Sequence, residues 1–183
     1  MHVTPTVYVI TAATPWLYLL ARHDWKERVL PNSLTLGGSL VILVWLLGWG
    51  GVPCLLNGLL GGAVAGGLLL IPFLIRAAGA GDVKFLFAGG LLVGYPAVIP
   101  MIFLTSVFGL IIGILLRFSG RLDPARLRHF ARCLFDWRYD RAEGRKALPD
   151  REDERVRIPF GVAIAAGVWT TLLFRLAGEY MAS

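Results

Sequence analysis

Apolar residues gather in long runs along this chain, and polar residues gather between them. Six runs stand out, at about 3–21, 34–49, 54–75, 83–94, 97–116 and 158–177. A helix needs about 20 apolar residues to cross the hydrocarbon core of a bilayer. Inside that core the backbone must satisfy its own hydrogen bonds, so each run is expected to be a helix. The expected fold class is therefore all-α, a polytopic membrane protein with six transmembrane helices. The whole chain, 1–183, is expected to form one membrane domain. The fourth run is short. It spans only if its helix starts before Asp82, or if the segment ahead of it dips into the membrane.

The breaks between runs have their own chemistry. Pro5 falls in the first turn of the first run, and Pro15 is expected to kink it. Val29-Leu30-Pro31-Asn32-Ser33 stops the chain and restarts it, with Asn32 or Ser33 as the expected N-cap. Gly50, Gly51 and Pro53 make a short uncharged turn. The third run carries Gly58, Gly61, Gly62, Gly66 and Gly67, a density that lets helices approach closely in lipid. A polar loop follows the fifth run, over 117–157. In it, Asp123-Pro124 reads as a helix start. Leu127, Phe130, Ala131, Leu134 and Phe135 then recur at helical spacing among Arg126, Arg128 and Arg132. That is a basic amphipathic helix, expected to lie in the interface before the last span.

Composition sharpens the picture. The chain is 56% hydrophobic and 16% charged, against about 25% charged for soluble domains. Its net charge of +6 could suggest nucleic acid as a partner. Placement argues otherwise: all but Arg175 of the 18 Lys and Arg residues follow runs one, three and five. By the positive-inside rule those loops are cytosolic and both termini lie outside. Anionic lipid headgroups, not nucleic acid, are the expected partners of this charge. Met1-His2-Val3 carries no basic segment of the secretory type, so the first run is read as a retained span. Cys54 and Cys133 fall on opposite sides in this topology, and no CxxC pair occurs, so neither a disulfide nor a structural zinc site is expected. His2 and His129 lack ligand partners in sequence, so no metal or other cofactor is expected, and His23, though placed like a general base beside Asp24, is read as a solvated loop histidine.

Two acids then become conspicuous. Asp24 follows the first run and Asp82 precedes the fourth, both at the membrane edge on the cytosolic side. A carboxylate there is costly and is read by default as functional. Two facing carboxylates share one proton, because both cannot ionise cheaply, and such a pair can act as base and acid on water. The plain readings are that Asp82 caps a helix and that Asp24 is an ordinary juxtamembrane charge. A non-enzymatic transporter or assembly subunit would use the same acids for proton or cation binding. Gly79 and Gly81 are expected to allow close backbone approach. Lys84 either shapes the site, by tuning Asp82 or binding a backbone carbonyl, or snorkels to headgroups, and snorkelling is the favoured reading. Thr105 and Ser106 have no visible base, which disfavours a serine protease.

Three segments carry a resemblance. Gly79-Ala80-Gly81-Asp82 matches the GxGD motif of membrane aspartyl proteases, and the string from Gly79 to Gly94 resembles the second active-site segment of type IV prepilin peptidases. Asp24 with the later Leu30-Pro31-Asn32 resembles their first aspartate and the segment after it. Ile158-Pro159-Phe160-Gly161 resembles the opening of their last span. The resemblance implies an aspartic-type endopeptidase in the plasma membrane of a prokaryote, with Asp24 and Asp82 catalytic. Its partner would be a prepilin-like membrane substrate, whose basic leader is cut after a glycine on the cytosolic face. Pro31, Asn32, Pro159 and Gly161 would shape the site. The methylating, CxxC-bearing insert of larger members is missing, as in the peptidase-only kind found with tight-adherence pili and archaeal flagellins.

Overall fold

The computed structural model describes residues 5–74, 78–119 and 159–182. Five helices make up these residues: α1 (Pro5–Glu27), α2 (Asn32–Leu74), α3 (Ala80–Val93), α4 (Val98–Phe118) and α5 (Phe160–Ala182). No strand occurs among the described residues. The interfacial helix expected near Asp123 lies outside them, as do His2, His129, Cys133 and nearly all of the 117–157 loop.

Among the described residues, three helices are long and apolar enough to cross a membrane: α2, α4 and α5. The 43 residues of α2 are two arms joined at Gly51, whose φ of 63° and ψ of −157° break the helix. That conformation is open to glycine and strained for other residues. The second and third apolar runs thus appear as one element with a sharp bend, where a turn was expected.

The remaining two helices depart from their expected bounds. α1 continues past Ala21 to Glu27, and its threonines, tyrosines and prolines dilute its apolar character. It ends where Arg28 adopts a positive φ of 53° and donates its N–H to the Asp24 carbonyl at 3.0 Å. α3 begins at Ala80, ahead of Asp82, and has only 14 residues. α2 begins at Asn32, with the Pro31 carbonyl accepting the Leu34 and Thr35 N–H groups at 3.1 Å each. Pro31 therefore holds the position expected of Asn32 or Ser33.

The helices run up and down, and cross-contacts fix their order. The second arm of α2 lies antiparallel to α3, with Gly61 against Gly90 and Gly94, and Gly66 against Phe87. Asn57 fastens the far end: its Nδ2 donates to the Tyr95 carbonyl at 2.8 Å and its Oδ1 accepts the Tyr95 N–H at 3.0 Å. α5 packs on α1, α4 and α3. Gly167 of α5 meets Thr105 of α4, and the Trp169 indole donates to Thr14 of α1 at 3.2 Å. Trp16 wedges the first arm of α2 onto this group. Its Nε1 donates to the Leu34 carbonyl at 2.9 Å, and its ring meets Phe85 edge-on at 5.6 Å.

The buried core, with Leu20, Leu46, Phe85, Met101, Ile164 and Val168, is therefore shared by all five described helices. Large apolar side chains of α2 and α4, such as Val41, Ile71, Phe103 and Leu110, stay exposed on the outside. On a soluble protein a patch of this extent would signal a missing partner. On helices of bilayer length, lipid is that partner.

Candidate active site

One end of the bundle collects the C-terminus of α1 and the N-termini of α2, α3 and α5. This follows from the up-and-down order, and it brings all the sequence-predicted residues to one region. Asp24 arrives on the last turn of α1 and is 4% exposed. Asp82 arrives on the first turn of α3 and is half-buried.

The first turn of α5 seats Asp24. Its Oδ2 accepts the Val162 N–H at 3.2 Å. The first N–H groups of a helix have no partner within it, and they carry the positive end of its dipole. The carboxylate of α1 thus serves the start of α5 as a cap supplied from another helix. Gly161 makes the approach possible. A Cβ there would lie 2.8 Å from Asp24 Oδ2 and 2.9 Å from its Cγ. Pro159, buried just ahead, begins the same turn.

Asp24 stands beyond Ala21, outside the apolar part of α1. Burial pushes its carboxyl above the ordinary aspartate value, because the charged form is desolvated. The N–H groups of Val162 and Gly161 and the Arg28 charge pull the other way. A carboxyl poised between these influences can change protonation during a reaction.

Asp82 is the third residue of α3, so it is not the N-cap. Its Oδ2 accepts the Gly79 N–H at 3.2 Å, reaching back to the cap residue as the acid of a capping box does. A Cβ on Gly79 would lie 3.1 Å from that same Oδ2. Gly81 is tight for another reason: its Cβ would lie 2.9 Å from Leu30 Cβ. The GxGD string is therefore a fitted piece. One glycine makes room for the acid, and the other makes room for the α1–α2 connection.

Lys84 does not snorkel. Its Nζ donates to Asn32 Oδ1 at 2.8 Å, tying α3 to the first turn of α2. With Leu30 on Gly81, that bond holds the connection against the helix that carries Asp82. His23, beside Asp24 in sequence, lies 3.5 Å from Glu27 Oε2 along its own helix. Among the described residues, no group of three or more His, Cys, Asp or Glu side chains could hold a metal ion.

A model of the type IV leader peptidase family matches residues 11–114. The chain belongs to that family. It is accordingly a protease of the leader-peptidase kind, built on membrane-length apolar helices. Neither a curated protein nor a solved structure matches the chain. The family match takes in Asp24, Pro31, Asn32 and Gly79–Lys84 and stops short of α5. The seating of Asp24 by Gly161 and Val162 is thus visible in the fold and not in the match. Leu30 and Val162 are the contributors that side-chain reasoning missed. Leu30 stood inside a motif as a mere apolar residue, and Val162 acts through its backbone, which no sequence signal marks.

Proposed function

We propose that this leader peptidase is an aspartic-type endopeptidase in which Asp24 and Asp82 share one proton and activate water. One carboxylate takes a proton from the water as its oxygen attacks the scissile carbonyl. The other gives a proton to the substrate, and the amide nitrogen then leaves protonated. The titration belongs to the pair, so neither acid alone is named the base.

The observation that carries this reading is the seating of both acids at one end of the bundle. Each is backed by a glycine that makes room for it and a backbone N–H that it accepts. The break at Gly51 supports counting six crossings, with α3 enclosed by its neighbours and α1 packed mainly against α5. The distribution of Lys and Arg supports placing the site on the cytosolic side of a prokaryotic plasma membrane, with both termini outside. The substrate would be a prepilin-like protein with a basic leader, a glycine and an apolar helix. That helix would enter from the lipid, with its leader junction between the two acids.

Purified protein in detergent, given a peptide with a basic leader, a glycine and an apolar segment, should cut after the glycine. Asp24→Asn and Asp82→Asn should each abolish the cut while the protein remains folded. Normal cutting by either variant sinks the assignment. Proton-coupled flux in liposomes without cleavage would favour the transporter reading instead.

A further inference from the structure

We propose that the first turn of α5 is the positioning element for Asp24: the Val162 N–H orients its carboxylate and holds its charge, and Gly161 leaves the space it occupies. The inference rests on the catalytic pairing proposed above and adds a residue outside the family match. Three observations converge on it.

The first is the hydrogen bond. Val162 N–H donates to Asp24 Oδ2 at 3.2 Å, across 138 positions of sequence. Val162 is the third residue of α5, so its N–H lacks a helical partner and is aimed outward from the helix start. The second is steric. A Cβ at Gly161 would fall within 2.8–3.1 Å of three atoms of the Asp24 side chain. Any larger residue must therefore displace the carboxylate or the turn. The third is burial. Asp24 is 4% exposed, so water is a poor substitute for the lost donor. A buried carboxylate in that setting depends on its fixed donors.

Among the described residues, the charged groups around Asp24 can be named. Just past its own helix Asp24 has Arg28, whose charge favours the ionised form, and α1 itself carries Arg22, His23, Lys26 and Glu27. The first turn of α5, Phe160–Val162, brings no titratable group. Asp82 and Lys84 stand at the start of α3. Among the described residues, the α5 backbone and Arg28 are the groups that hold down the proton affinity of Asp24.

This positioning role has a consequence that simple packing does not. Val162→Pro deletes the N–H and leaves a residue that a first helical turn tolerates. The acidic limb of the cleavage profile should then move to higher pH by roughly one unit, the size expected for a lost hydrogen bond to a charged group. The turnover number should fall, with KM for the leader peptide little changed. Val162→Ala keeps the N–H and should keep the acidic limb in place. Gly161→Ala provides the second route. It should lower turnover by displacing the carboxylate, with melting in detergent reported alongside.

The outcomes are separable. If Asp24→Asn is inactive but Val162→Pro, folded by melting, keeps the wild-type acidic limb, the positioning role is wrong and the catalytic pair survives. If Asp24→Asn cuts normally, the catalytic pair itself is wrong. If Val162→Pro does not fold, Gly161→Ala decides: an active, folded Gly161→Ala with an unmoved profile overturns the inference.

Discussion

Gly61→Ala is a one-methyl change whose cost can be worked from geometry. A Cβ on Gly61 would lie 2.5 Å from the Gly90 carbonyl oxygen and 2.9 Å from two main-chain carbons of Gly94. Ordinary contact begins near 3.4 Å, so α2 and α3 would have to part by about 0.9 Å. The obstructing atoms are all backbone, and none can rotate away. Overpacking of this kind costs about 1–3 kcal/mol, and rigid neighbours put it near the top of that range. Gly67→Ala is the internal control, on the same arm with nothing within 4 Å of its Cβ. It should gain a few tenths to about 1 kcal/mol, because alanine loses less freedom on forming a helix. Near this chain length, 1 kcal/mol moves the melting point by about 2–4 °C. The two variants should therefore differ by roughly 5–15 °C when helix loss is followed by circular dichroism in detergent. Equal melting points would refute the close α2–α3 contact. Since α3 carries Asp82, Gly61→Ala should also slow cleavage.

Two further outcomes are expected. Burial raises the Asp24 carboxyl above its unfolded value, so folding favours the protonated form. Its contribution to stability is present below the unfolded value and is lost as pH rises through the raised folded one. Asp24→Asn should therefore melt at or above the wild-type temperature at neutral pH while losing activity, and that advantage should vanish in strong acid. A neutral-pH melting point well below wild type would contradict it. Lys84→Met and Asn32→Ala each remove one end of the same 2.8 Å bond. Each should cost about 0.5–1.5 kcal/mol, and the double variant should cost less than their sum. Strict additivity would show that the bond contributes nothing.

Much of the architecture was legible because hydropathy speaks through whole segments. Runs of bilayer length announced helices, and the expected turn at Gly50–Pro53 marked the place of the bend, which the structure makes at Gly51 alone within one continuous element. The details that escaped depend on partners distant in sequence. Lys84 was expected to reach headgroups because a lysine at a membrane edge usually does. What redirected it was Asn32, 52 positions away. Asp82 was expected to compete with a plain N-cap role, whereas its place two residues inside α3 lets it reach back to Gly79. The two acids and their glycines were readable as motif. The reason each glycine is required, a carboxylate or a leucine in the space of its Cβ, needed coordinates.

The pairing of the two acids can be tested without a substrate. Cysteines replace both in an Asp24→Cys/Asp82→Cys variant that also lacks the native Cys54 and Cys133, and dibromobimane offers a short bridge between thiols. The account predicts a fluorescent intramolecular adduct in the double variant and none in either single one. Failure to form that adduct, with each single cysteine still labelled by a maleimide, would place the side chains too far apart to hold one proton and would contradict the proposed chemistry.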